Sequence, residues 1–325
     1  MKKTKKPLIT FLAMLLTVML LSACGGGGGA AEEIRLTMAT GGTAGTYYPL
    51  GGAMAAVINS HTNLNIAANA SGASGDNIRQ IAAGDAHLAL AQNDIMSYAF
   101  HGTNLWEGHE PVTNLATLMT LYPETIQVVV EAGSGIYNIR DLAGMRVSIG
   151  DVGSGTAENA RQVLEAHGIG LDDINRFDLS FGASADQMRD GMIDAFFVTA
   201  ATPNTAIMEL ATARDLRILT IEPDMVQALL NAHAFLVPVT IPVGEYAFIT
   251  EPVNTIAVQA TLVTSLDMDE QIAYDIVRVL IEYAHEVEQR HARGAYFTPF
   301  NAVQSIAVDL HPGARRFFEG IGALD

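Results

Sequence analysis

Two glycine-rich segments carry the most legible chemistry in this sequence: GGTAGT at 41–46, entered from RLTM, and GDVGSGT at 150–156, entered from RVSI. A glycine-rich turn that feeds a helix leaves backbone N–H groups unpaired, and the helix dipole adds about half a positive charge there. Two such turns on facing walls suit a small carboxylate, although the same glycines also serve tight strand-to-helix turns that bind nothing. Beside them stand Tyr47 and Tyr48, which either wall a site or pack half-buried at a helix start. Gln92 and Thr199 follow the strand-like runs 88–91 and 195–198. Ligands of open α/β sheets lie outside the carboxyl ends of the strands, where these side chains emerge.

Most other chemistries lack their residues. All lysines sit between positions 2 and 6, so no phosphate loop with Gly-Lys-Ser/Thr and no Schiff-base lysine exists further on. A dinucleotide fingerprint starting at Gly153 meets Glu158 where Gly or Ala is required. No Gly-x-Ser-x-Gly elbow is present, His285-Glu286 lacks the second histidine of a zinc helix, and a single Cys excludes an internal disulfide framework. No cofactor or metal is expected. A net charge of −17, with no Lys/Arg run outside the extreme N-terminus, excludes a nucleic-acid partner. With 35 acidic residues, a cleft hydrolase or lyase using paired carboxylates stays open as an alternative.

Strand-like and helix-like runs alternate: 34–40, 50–60, 64–69, 75–83 and 87–91. That alternation predicts an α/β fold. An internal repeat sharpens it, because GASGDNIR at 72–79 recurs at 182–189 as GASADQMR, with five identities in eight. The glycine-rich segments keep nearly the same offset, so two similar α/β lobes are expected. Pro49 suits a first helical turn, Ser74 with Asn77 and Ser184 with Gln187 have N-cap spacing, and Ser154 or Thr156 caps a helix ended by Gly168. One long amphipathic helix is expected over 267–294. A chain leaving lobe I near Tyr122-Pro123-Glu124 and returning near Pro242 gives lobe I as 34–123 plus about 242–325 and lobe II as 124–241. Two crossovers make a hinge beside the cleft.

The N-terminus reads as a leader: Lys2, Lys3, Lys5 and Lys6, an apolar stretch over 8–21, then Leu21-Ser22-Ala23-Cys24. The apolar stretch is shorter than the roughly 20 residues of a comfortable span. It resembles a bacterial lipoprotein signal peptide, 1–23, cleaved between Ala23 and Cys24. Cys24 then becomes the lipidated N-terminus and 24–33 a glycine-rich tether. More than one acyl chain, at about 0.8 kcal/mol per buried CH₂, holds such a protein on a membrane. The globular part is expected outside the cytoplasm, anchored to the outer face of the cell membrane.

The blocks TGGTAGTYYPLGG, SGASGDNIR, AQND, LYPE, GSGTAENAR and DAFFVTAATP, in this order, resemble the TAXI-type solute-binding proteins of tripartite ATP-independent periplasmic (TRAP) transporters. The resemblance runs from about Ile34 to Gly294. It implies a type II periplasmic-binding-protein-like fold, with two lobes closing over a small organic anion or amino acid such as glutamate or a dicarboxylate. It also implies TRAP permease subunits as membrane partner, with a sensor kinase as the alternative recipient. Carried over, the ligand contacts are Thr43, Thr46, Tyr47, Tyr48, Ser74, Asn77, Gln92, Ser154, Gly155 and Thr156, to which Gly153 and Thr199 are added from their positions. Two departures stand out: Asn93 in AQND replaces a small residue, and the Ala44-Gly45 spacing is unusual. Arg79 and Arg161 are the candidate charge partners for the ligand.

Overall fold

The computed structural model describes residues 33–324, so the leader, Cys24 and most of the tether lie outside the described residues. Ten strands form one sheet: β1 (Ile34–Ala39), β2 (Leu64–Asn69), β3 (Leu88–Gln92), β4 (Leu115–Glu131), β5 (Arg146–Ser148), β6 (Asn175–Phe177), β7 (Ala195–Ala200), β8 (Leu216–Ile218), β9 (Val237–Ile241) and β10 (Val253–Ser265). The helices that position the site are α1 (Tyr47–His61), α2 (Ser74–Ala83), α3 (Asn93–His101), α4 (Gly155–Ala166) and α5 (Phe181–Arg189). Then follow α6 (Thr205–Ala211), α7 (Pro223–Ala232), α8 (Glu270–Glu282) and α9 (Ala284–Arg290).

The strand order is β2-β1-β3-β10-β4-β7-β5-β6, with β8 added to β4 and β9 to β10. β1 and β3 run parallel, as do β7, β5 and β6, and the antiparallel pair β10 and β4 joins the two sets. The second trio therefore repeats the first, with β5, β6 and β7 standing where β1, β2 and β3 stand. This is the topological counterpart of the sequence repeat.

β3 (LALAQ) and β7 (AFFVTA) are buried along their whole length, which requires cover on both faces. Alternation divides β4 and β7 between two cores. Val128, Val130 and Phe197 pack with Val163 and Leu164 of α4, whereas Val129 and Phe196 pack with Met188 of α5 and Leu210 of α6. A third core joins Ile78 and Ile81 of α2 to Ala89, Ile95 and Trp106. No helix among the described residues is long and apolar enough to cross a membrane.

The exit from lobe I expected near Tyr122-Pro123-Glu124 falls in the middle of the 17-residue β4, in which Pro123 stands in register with Gln259 of β10. Several other local expectations are corrected. Residues after 242 do not return at once: Ile241, Tyr246, Ile249 and Val253 pack with Phe196 and Val198, and the crossing back runs within β10. Ser184 is no helix cap. α5 starts earlier, on Ser180, whose hydroxyl accepts from Ala183 N at 3.4 Å, and Ser184 Oγ instead meets Ser148 Oγ at 2.8 Å. Ser74 is the first residue of α2, and its Oγ accepts from Gln92 N at 3.1 Å, outside its own helix. The long C-terminal helix is interrupted at Tyr283 (φ −109°, ψ 26°), whose ring stacks on His61 at 3.6 Å, and a 3-10 segment follows α9.

Candidate functional site

The site grows from the carboxyl ends of β1, β3, β5 and β7. Asn77, fully buried in α2, donates from Nδ2 to the carbonyls of Thr40 and Leu90, each at 2.6 Å, which ties the end of β1 to β3. On the other side Ser154 caps α4, its Oγ accepting from Ala157 N at 3.1 Å. Gly150 has φ +103°, a conformation that side chains resist, and a Cβ there would stand 2.9 Å from Thr156 Cβ.

These ends enclose a cavity with about 670 Å³ of space free of protein atoms, part of it open to solvent. Of the expected residues, Thr43, Thr46, Tyr47, Ser74 and Gln92 line one side. Ser154, Gly155 and Thr156 line the other, and Thr199 at the end of β7 completes the set.

Three expected residues stand elsewhere. Tyr48 is 38% exposed and is not part of the lining. The polar atoms of Asn77 are occupied, since its Oδ1 also accepts from Ser71 Oγ at 2.6 Å. Gly153 contributes its carbonyl to the contact between the walls, where a Cβ on Gly75 would overlap it. The arginines are engaged away from the lining: Arg79 lies over the Trp106 ring at 4.8 Å, and Arg161 pairs with Glu158 at 2.6 Å.

Two carboxyl groups join the lining that sequence alone had not marked, Glu124 and Asp151. Glu124 is 2% exposed; its Oε2 accepts from Tyr47 OH at 2.6 Å and its Oε1 from Tyr122 OH at 3.3 Å. Burial pushes the Glu124 carboxyl up to about 8, against the pull of the two phenol hydrogen bonds, and nearby Asp94 adds to the rise. Burial likewise raises Asp151. Burial also raises Tyr47 and Tyr122, and the neighbouring Glu124 charge adds to it. Glu124 sits in an apolar strand beside a proline, a pattern that reads as a connection, and only strand pairing places it centrally.

The walls touch around the cavity. Ala201 N donates to Thr46 Oγ1 and Asn204 Nδ2 to the Ala44 carbonyl, both at 3.3 Å. A Cβ on Gly155 would overlap the Gln92 amide. Gln92 Oε1 and Thr199 Oγ1 are buried without a hydrogen-bond partner in the protein. Among the described residues no group of His, Cys, Asp and Glu could hold a metal ion.

A repeated α/β sheet joined by two long strands, with a walled cavity at the junction, is the fold of periplasmic binding proteins. The periplasmic binding protein BugD superposes with a TM-score of 0.58 at 10% identity, covering 89% of this chain and 97% of that one. A periplasmic transporter structure gives 0.53 at 13% identity, covering 91% and 94%. The periplasmic aliphatic sulphonate binding protein SsuA from Escherichia coli gives 0.50 at 13% identity, covering 88% and 83%. The chain belongs to the NMT1-like family, whose sequence model matches residues 38–322.

Proposed function

We propose that the protein is an extracytoplasmic solute-binding protein, and not an enzyme, that captures a small organic anion or amino acid and delivers it to a membrane permease. The observation that carries this is the cavity itself, walled by two glycine-rich turns from opposite halves of one sheet, each leading into a helix and the second capping it through Ser154. Backbone N–H groups and hydroxyls of Thr43, Thr46, Ser154 and Thr156 are suited to a ligand carboxylate. Proteins that share the fold support the class: one is an aliphatic sulphonate binding protein, another a putative L-cystine ABC transporter from Listeria monocytogenes.

Within that class, the ordered sequence blocks favour a TAXI-type subunit with TRAP permease partners and a glutamate- or dicarboxylate-like solute. A ligand-presenting subunit for a sensor kinase is the alternative recipient. We further assign the halves as lobes that part on either side of β4 and β10, and Cys24 as the lipid attachment on the outer face of the membrane. Ligand contacts to both walls favour the closed state by their differential affinity.

Calorimetry against glutamate, glutamine, 2-oxoglutarate and C4 dicarboxylates tests this, with saturable binding at or below roughly 10 µM, about −7 kcal/mol, expected for one of them. Ser154→Ala with Thr156→Val is expected to weaken that binding while the fold persists. Complete absence of binding, or turnover of a panel member, would overturn solute capture. Release of the protein from membranes by Cys24→Ser tests the anchor.

A further inference from the structure

The cavity carries acid and no base. Glu124 and Asp151 line it, whereas no arginine or lysine among the described residues does. Glu124 is buried in β4 and holds two phenol donors, Tyr47 OH and Tyr122 OH, but no cation partner. Gln92 and Thr199, 3% and 4% exposed, line the same cavity with oxygens that no protein donor reaches. The amide oxygen is an acceptor only, and buried acceptors left unmet are costly. Sheet register gathers them. β10 residues Ala260 and Val258 stand opposite Gln92 and Glu124 respectively, and Ile126, two places beyond Glu124, pairs with Thr199.

The cavity thus offers N–H and hydroxyl donors on the glycine-rich turns and, at the strand ends, the Glu124 carboxyl with the unmet oxygens of Gln92 and Thr199, while Asp151 adds a second carboxyl on the 150–156 turn. We propose that the solute is a zwitterion of the amino-acid type, seated with its carboxylate on the N–H groups and hydroxyls of the walls and its protonated amine on the Glu124 carboxylate. Gln92 Oε1 and Thr199 Oγ1 accept from the same amine or from a neighbouring donor. The inference rests on the solute-capture function and narrows its ligand. A dicarboxylate or sulfonate without an amine offers Glu124 no cation, so its buried carboxyl stays protonated and gains no ion pair with the ligand.

Proton linkage distinguishes the two ligand types by sign. Burial keeps the ligand-free Glu124 carboxyl protonated up to about pH 8. The groups facing it are Tyr47 from α1, Tyr122 from β4 and Asp94 from α3, with Asp151 across the cavity and the Arg293 charge acting on Tyr122. An arriving ammonium favours the ionised carboxylate, so binding releases a proton and tightens as pH rises towards 8. An anion without an amine favours the protonated acid, so binding weakens over the same range.

The experiment is calorimetry on the mature chain with probe pairs that differ only in the amine: L-glutamate against glutarate, and L-norvaline against valerate. At least one amine member is expected to bind roughly 100-fold tighter than its partner, to tighten from pH 6 to 8, and to release close to one proton. Glu124→Gln is expected to remove both the preference and the proton release. Equal binding within each pair, binding that weakens with pH, or an unchanged preference in Glu124→Gln overturns the proposal while solute capture stands. If neither member of any pair binds, this proposal falls, and solute capture falls with it only if the wider panel also fails to bind. Should Glu124→Gln fail to fold, the pair preference and the sign of the pH dependence in the unaltered protein still decide.

Discussion

Asn159 Nδ2 donates to Asp94 Oδ2 at 2.9 Å, with both side chains out of contact with solvent. One turn along, Gln162 Nε2 donates to Tyr98 OH at 3.2 Å. These two bonds form a polar seam between α3, which follows β3, and α4, which follows β5, so they join the halves of the sheet beside the cavity. Double-mutant cycles with Asp94→Ala and Asn159→Ala are expected to give a coupling of about 1–2 kcal/mol in urea denaturation at pH 7. Strictly additive effects would remove the seam as a contributor.

Stability of the ligand-free protein is expected to fall as pH rises. Burial pushes Asp94 up to about 7 and Glu124 up to about 8. In the unfolded chain such groups ionise near pH 4. Between those limits the folded state binds more protons than the unfolded state, so each pH step favours unfolding until about pH 8. Melting temperature measured from pH 4.5 to 8.5 reads this directly, and Asp94→Asn is expected to flatten the portion below 7. A melting temperature that climbs across this window contradicts it.

Gly75→Ala and Gly155→Ala are expected to hold the walls apart, to different degrees. At Gly75 the new Cβ meets the Gly153 carbonyl, which is backbone; at Gly155 it meets the Gln92 amide, which can swing aside. Gly75→Ala is therefore expected to weaken solute binding tenfold or more and to enlarge the radius of gyration in solution scattering. The loss in Gly155→Ala is expected to be smaller. Equal affinity in Gly75→Ala and the unaltered protein would show that closure does not need this approach.

Backbone strain gives a fourth expectation. Ala73, beside the cavity, has φ 66° and ψ −153°, a region that essentially only glycine occupies. Ala73→Gly is expected to stabilise the fold by about 1 kcal/mol in urea titration, while Gly150→Ala, at φ +103° and against Thr156, costs about 2 kcal/mol or more. A destabilised Ala73→Gly would mean that the loop relaxes without strain.

Much of this architecture is legible in the residues. The repeat at 72–79 and 182–189 marked two similar halves, and the strand order shows β5, β6 and β7 taking the places of β1, β2 and β3. The glycine-rich turns and Ser154 were readable because helix starts use local chemistry. What escaped depends on pairing at a distance. That β4 runs straight through Pro123 shows only in its register with Gln259. Ser184 repeats Ser74 in letters only, because Ser180 starts its helix earlier. Tyr283 interrupts an unbroken amphipathic pattern, and its ring stacks on His61, a residue far away in sequence.

Glu124 belongs to β4, one of the two strands that run unbroken from one half of the sheet to the other. On the proposed parting of the two halves, its carboxylate is mounted on the flexure, not on either jaw. In the parting of halves proposed above, the turns at Thr43 and Ser154 travel, whereas Tyr122, like Glu124 a residue of β4, stays at the junction. A solute can thus settle on a seat that already exists and draw the walls in afterwards. In kinetic terms, that proposed cycle sets the capture rate by diffusion into an open mouth and the residence time by how firmly the jaws then hold.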